Sequence, residues 1–74
     1  MDEPAPDRTV AGELNMLLPI LRSLGLSKEA DVLGMAFRSP AEFYSDVRLT
    51  RAAEIALGCG FPAVAQWARE LSRP

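Results

Sequence analysis

The chain has 74 residues, a formal net charge of −2, 49% hydrophobic residues and 24% charged residues. This composition excludes a disordered chain, and the length fits one small domain near the lower limit of independent folding. One cysteine and no histidine exclude an internal disulfide and leave almost no basis for a zinc site, so we expect no metal and no cofactor.

Residues 1–8 hold three of the ten acidic residues and two prolines, which predicts a flexible acidic tail before a helical domain over 9–74. From Arg8 onward eight basic residues face seven acidic ones, so the body is nearly neutral and has no field to attract nucleic acid or an anionic membrane. No targeting segment and no membrane-spanning apolar run is visible, which favours a cytoplasmic location.

The first helical pattern runs from Thr9 or Val10 to Leu24, with Thr9 as its cap and four leucines at helical spacing. Pro19 lies within the pattern and predicts a kink rather than a break. Gly25 suits the left-handed position that ends a helix, and Leu26 can fold back in a Schellman motif.

The second helix is expected to start at Ser27 as its N-cap and to stop at Ser39. Its predicted buried stripe consists of Leu26, Ala30, Leu33 and Phe37. The connection to the first helix is so short that the two helices must lie antiparallel.

Ser39, Pro40 and Glu42 form a capping-box pattern, which predicts a third helix from Pro40 towards Cys59. A break between Asp46 and Thr50 stays open, because Ser45 and Thr50 could each cap a new start. A fourth helix is expected from Pro62 to about Ser72, with its inward face formed by Val64, Trp67, Ala68 and Leu71.

A shift of 35 residues superposes the first helix pair on the second; it pairs Gly25 with Gly60 and Ala30 with Ala65. Periods of this length are typical of helix–turn–helix units, which stack because one pair cannot bury its apolar side alone. The sequence therefore predicts an all-α fold of four short helices, arranged as two stacked antiparallel helical hairpins.

The region from Ala11 to Arg73 resembles the tetratricopeptide repeat family. The residues that match its pattern best are Leu49, Ala52, Ala53, Ala56 and Ala65, whereas Gly34 and Arg69 stand where the family has an aromatic residue. Members of that family bind polypeptide segments in a groove formed by the first helix of each repeat. The resemblance implies a partner-binding face formed by Asn15, Pro19, Arg22, Thr50, Glu54 and Leu57.

A second resemblance is to AraC-type helix-turn-helix regulators, whose pattern is matched by Ile55, Ala56, Gly60, Phe61, Trp67 and Arg69. It implies DNA binding through a helix that starts at Pro62. DNA readers need several phosphate contacts from lysine or arginine, and Lys28 is the only lysine. We therefore keep DNA binding as the alternative and expect nucleic acid not to be the partner.

The sequence offers little that could perform catalysis. Cys59 has no histidine to act as its base, and it lies between two glycines at a helix C-terminus, where a packed thiol is the simpler interpretation. Glu42 and Asp46 would share a helix face, which is typical of a solvated edge. We expect no enzyme, with no catalytic or metal-binding residue.

We therefore expect a small adaptor, chaperone-like protein or inhibitor that binds a partner polypeptide through a helical groove, and that could form a homodimer. Trp67 has two interpretations: it is a core residue, or it is an aromatic anchor for the partner.

Overall fold

The computed structural model describes residues 9–73, which form four α-helices and one short 3-10 helix and contain no strand. The elements in chain order are α1 (Val10–Ser23), α2 (Ser27–Arg38), the 3-10 helix (Pro40–Phe43), α3 (Val47–Gly58) and α4 (Pro62–Ser72). The prediction of an all-α fold with four helices is confirmed. The tail predicted for residues 1–8 lies outside the described residues, as does Pro74.

The helices stack as two hairpins, α1 with α2 and α3 with α4. The hairpins meet through two further interfaces, because α2 packs against α3 and α1 packs against α4. The largest fully buried side chains come from all four helices: Leu17, Leu21, Leu33, Leu49 and Val64. Full burial of one such side chain contributes about 1.5–3 kcal/mol, and all five belong to a single core.

Among residues 9–73, the interface between α3 and α4 is the most extensive, and both helices bring buried alanines to the core. These small buried side chains are Ala52, Ala53, Ala56, Ala65 and Ala68. Side chains of this size let two helix backbones approach closely.

Both hairpins turn through the same hydrogen-bonded motif, 35 residues apart. The Leu26 amide donates to the Leu21 carbonyl at 2.8 Å, and the Phe61 amide donates to the Ala56 carbonyl at 2.9 Å. Gly25 and Gly60 adopt φ angles of +79° and +89° in these turns, a conformation that side chains disfavour. The Schellman ending predicted for the first helix is confirmed, and its copy follows the sequence repeat.

The prediction of a third helix from Pro40 is wrong. The 3-10 helix ends at Phe43, Tyr44 is extended and Ser45 has a φ of +61°, so the helical path is interrupted before Val47. The sequence left a break in this region open, with Ser45 or Thr50 as the cap of the new helix. The cap is instead Asp46, whose carboxylate accepts a hydrogen bond from the Arg48 amide at 2.9 Å. The side chain of Ser39 makes no cap hydrogen bond, so the predicted capping box does not form.

Two further expectations about helix starts and burial are corrected. Ser27 is the first residue of α2 and not its cap; Leu26 occupies the cap position without a side-chain bond. Phe37, near the end of α2, is 46% exposed and does not belong to the buried stripe of this helix; its ring meets the ring of Trp67 edge to face instead of entering the core. By contrast, α1 runs through Pro19 without a break, as expected.

The start of α4 is capped from another helix. Phe61, at its N-cap position, offers no side-chain acceptor, and Glu13 of α1 takes that role: its Oε1 accepts from the buried Val64 amide at 3.0 Å. Glu13 is only 4% exposed and is the one buried charged residue among residues 9–73. Its position follows from the positive end of the α4 dipole and from the unpaired amides there.

The other end of α4 is also held by a distant residue. The Ser45 amide donates to the Leu71 carbonyl at 3.3 Å, and the Ser45 hydroxyl donates to the Arg73 carbonyl at 3.2 Å. These two carbonyl groups lie at the C-terminal end of α4, where carbonyl groups have no amide donor within the helix. The strained backbone of Ser45 therefore ties the segment before α3 to the end of α4.

Replacement of Glu13 by alanine should lower the free energy of unfolding by about 1–3 kcal/mol, because the buried Val64 amide loses its acceptor. Glu13→Gln keeps an acceptor oxygen, now that of an amide, and should lose less. Urea unfolding followed by far-UV circular dichroism measures both. The control is Glu54→Ala on the exposed side of α3, which should change stability by no more than about 0.5 kcal/mol; equal losses for Glu13→Ala and Glu54→Ala would contradict the cap.

The hydrogen bonds from the Arg48 side chain and amide hold the pKa of Asp46 below its ordinary value of 3.8. A lowered pKa in the folded state means that the stabilising contribution is present above pH 3.8 and is lost as the pH falls through the lower folded value. Asp46→Asn keeps a capping oxygen that does not titrate. Unfolding measured from roughly pH 6 to pH 2 should therefore show a wild-type advantage that shrinks towards acid; an advantage independent of pH would refute this origin.

Candidate functional site

The residues of the expected partner-binding face lie on two helices and are exposed. Asn15, Pro19 and Arg22 are exposed on α1, and three others are exposed on α3: Thr50, Glu54 and Leu57. The main packing partners of both α1 and α3 are α2 and α4, which leaves α1 and α3 diagonal to each other. The two sets therefore do not line one groove between neighbouring helices.

Several of these side chains are engaged within the fold. Arg22 pairs with Asp31 of α2 at 3.1 Å, and the Thr50 hydroxyl donates to the Ser72 hydroxyl at 3.1 Å. Trp67 is half-buried against the core. Asn15 and Leu57 line two different surface grooves, one beside α2 and one beside α4.

The groove that contains Asn15 is the first candidate site; we call it the α1–α2 groove. It has a volume of about 600 Å³ and lies between the first turns of α1 and the last turns of α2. Its lining is mostly apolar or small, with a few polar groups: Thr9, Ala11, Gly12, Leu14, Asn15, Leu18, Gly34, Phe37 and Arg38. A concave apolar surface with few polar groups is the usual form of a binding site.

Gly34 keeps this groove open. A Cβ atom at position 34 would lie 3.9 Å from Cδ1 of Leu18, an ordinary contact, so the backbone does not require glycine here for steric reasons. Glycine inside a helix costs about 0.5–1 kcal/mol relative to alanine. The chain thus bears a destabilising residue at the place where a larger side chain would fill the groove.

An aromatic pair borders the same groove. The rings of Phe37 and Trp67 meet edge to face, with centroids 6.0 Å apart. Phe37 lines the groove and is nearly half exposed, whereas Trp67 supports it from α4. Trp67 therefore acts partly as core, and Phe37, which sequence reasoning placed in the core, is the aromatic residue presented to solvent.

Sequence reasoning gave Gly34 no role in a site and named it only as a departure from the tetratricopeptide pattern. Its position as a glycine inside a helical pattern is the one signal that could have drawn attention to it. Phe37 had no comparable signal, because its spacing from Leu33 fits a buried stripe equally well.

A second apolar surface lies on the other flank of α1. Met16, Ile20 and Leu24 follow each other at intervals of four residues and are 49%, 40% and 61% exposed; we call them the α1 stripe. With 3.6 residues per turn, this line lies on the side of α1 opposite Leu18 of the α1–α2 groove. Met16 also lines a groove of about 660 Å³ beside the start of α4, here the α1–α4 groove, together with Glu13, Gly60, Phe61, Pro62, Ala63 and Gln66.

The residues considered for catalysis or metal binding do not come together in the described part of the chain. Cys59 is half-buried and packs against the core. Glu42 and Asp46 do not share one helix, because Asp46 caps α3 and pairs with Arg48 at 2.7 Å. No group of three or more Cys, Asp or Glu side chains between residues 9 and 73 is placed to hold a metal ion. The absence of enzymatic activity stays a prediction.

None of the helices in the described part of the chain combines the length and apolar character that crossing a membrane requires. No protein-family model, curated protein or solved structure matches this chain. The two family resemblances therefore stay predictions, and the functional argument depends on the geometry of the two apolar surfaces.

Proposed function

We propose that this protein is a small interaction module that binds a segment of another polypeptide in the α1–α2 groove. The observation that carries the proposal is an apolar groove of about 600 Å³ kept open by Gly34 and bordered by the exposed ring of Phe37. Aromatic side chains at the edge of such grooves are common anchors of binding energy. The resemblance to tetratricopeptide repeats implies the same class of partner, a polypeptide segment, but on the first helices α1 and α3 rather than in the α1–α2 groove.

An amphipathic helix is the partner segment that suits this groove best. The groove runs between two helices, and a third helix can place apolar side chains at intervals of three and four residues along it. Asn15 and Arg38 lie in its lining and would contact the polar side of the segment. An adaptor, chaperone-like or inhibitory role, in the cytoplasm, is consistent with this chemistry.

DNA binding, the alternative, is less well supported by the charges. Arg22, Arg48 and Arg51 each form an ion pair with an acidic side chain of the chain itself. The helix that would read DNA, α4, has Arg69 as the basic residue of its last turn. Such a surface offers few phosphate contacts.

Gly34→Leu should weaken binding of the partner by about tenfold or more, because the new side chain fills the groove. Gly34→Ala should bind nearly as well as the wild type, since a methyl group leaves most of the volume free. The measurement is affinity capture from the native cell, followed by titration of the identified partner with each variant.

Gly58→Leu is the matched control for this test. A Cβ at position 58 meets no atom within 4 Å, and Gly58 lies at the end of α3, so the same substitution should leave both folding and binding intact. Circular dichroism verifies that each variant is folded. Equal binding by Gly34→Leu and Gly58→Leu would refute the α1–α2 groove as the site.

A gel-shift titration with duplex DNA distinguishes the two functions. We expect weak association without a defined complex, because the body of the chain is nearly neutral. Tight binding that falls steeply with added salt would instead support the alternative function, a DNA-binding transcriptional regulator.

A further inference from the structure

We propose that the α1–α4 groove binds a lysine side chain of a partner polypeptide, with the ammonium group held by the carboxylate of Glu13. The groove lies on the other flank of α1 from the α1–α2 groove, and the two grooves have no lining residue in common. The proposal therefore goes beyond the proposed function and can fail separately from it.

Glu13 has one carboxylate oxygen that the fold does not use. Oε1 accepts the hydrogen bond from the Val64 amide, whereas Oε2 has no hydrogen-bond partner within residues 9–73. In this range no completely buried side-chain oxygen or nitrogen lacks a partner, so Oε2 reaches the surface although Glu13 as a whole is only 4% exposed. Because Glu13 lines the α1–α4 groove, Oε2 is the atom that it presents there.

The cap of α4 does not by itself require a charged side chain. One acceptor oxygen satisfies the Val64 amide, and a neutral side chain such as that of glutamine also has one. The positive end of a helix is equivalent to roughly half an elementary charge, so the start of α4 offsets the carboxylate only in part. A buried charge without a full counter-charge is costly, and a cation bound in the groove lowers that cost.

The other residues of the groove also favour a cation. Glu13 is the charged residue of the lining, and no basic side chain of the described part of the chain lies there to compensate it. The amide nitrogen of Gln66 donates to Glu70 Oε2 at 3.4 Å, which leaves the Gln66 carbonyl oxygen as a second acceptor. Two acceptors and one negative charge complement an ammonium group, which has three donors and no acceptor.

Lysine fits this arrangement better than arginine. A guanidinium group pairs most strongly with a carboxylate when both oxygens accept in parallel, but Glu13 Oε1 is already bonded to the Val64 amide. The compact ammonium group of lysine needs only Oε2. Its four-carbon stem can lie along the apolar part of the lining, which includes Met16, Phe61 and Pro62.

The test is a titration of the ¹⁵N-labelled full chain with a pentapeptide that has one lysine between alanines and blocked ends. The amide signals of Met16, Ala63 and Val64 should shift and saturate. The same peptide with norleucine, which keeps the stem and lacks the ammonium group, should bind about tenfold more weakly or less. The arginine peptide should bind more weakly than the lysine peptide. These comparisons need no change in the protein, so they hold even if a variant folds poorly.

Glu13→Gln removes the charge and keeps an acceptor for the Val64 amide. It should stay folded by circular dichroism and bind the lysine peptide about tenfold more weakly. Glu54→Gln is the matched control, because it removes the same charge from the exposed side of α3; it should bind within about twofold of the wild type. Gln66→Lys adds an ammonium group at an exposed position of the groove and should compete with the peptide.

The absence of saturable shifts at the highest concentration of lysine peptide would overturn the proposal. Equal binding of the lysine and norleucine peptides would do the same, as would arginine binding as tightly as lysine, equal binding by Glu13→Gln and Glu54→Gln, or shifts confined to residues outside the α1–α4 groove. Gly34→Leu should bind the lysine peptide like the wild type while it loses the partner segment of the α1–α2 groove. This variant separates a failure of the lysine site from a failure of the proposed function.

Discussion

A hydrogen bond between α1 and α4, which joins residues 51 positions apart, organises the fold. Glu13 Oε1 accepts from the Val64 amide and fixes the start of α4 against the side of α1, where no local side chain could satisfy it. Because the carboxylate is buried, the bond is specific in both distance and direction. It closes the ring of packed helices, since the two hairpins otherwise meet through α2 and α3.

Because α4 is held at both ends, its position decides which residues of α1 remain exposed. Glu13 points towards α4, and Met16 and Ile20, which lie one and two turns beyond it, are left at the edge of the packed region. On the other flank, the hairpin with α2 brings Gly34 and Phe37 against Leu18 and creates the α1–α2 groove. One helix thus presents two separate apolar surfaces, and we assign the α1–α2 groove to a foreign segment.

A chain of this size has reason to use such surfaces. A small single core gives limited net stability, and any partner that binds only the folded state adds to it. The exposed residues of α1 contribute little to the isolated chain, but they become buried apolar area in a complex. Binding and stability are therefore coupled through the same helix.

Local chemistry was enough to predict the helical class, the Schellman turn after α1 and the ends of α1 and α4, because glycine, proline and apolar spacing act within a few residues. The start of α3 was mispredicted, since the choice between Pro40 and Val47 depends on Ser45, whose bonds reach the distant end of α4. The sequence likewise named Asn15 but not the groove that it lines. Burial of Glu13 and exposure of Phe37 were decided by tertiary structure alone, because both depend on which helix lies opposite, and the spacing along one helix does not contain that information.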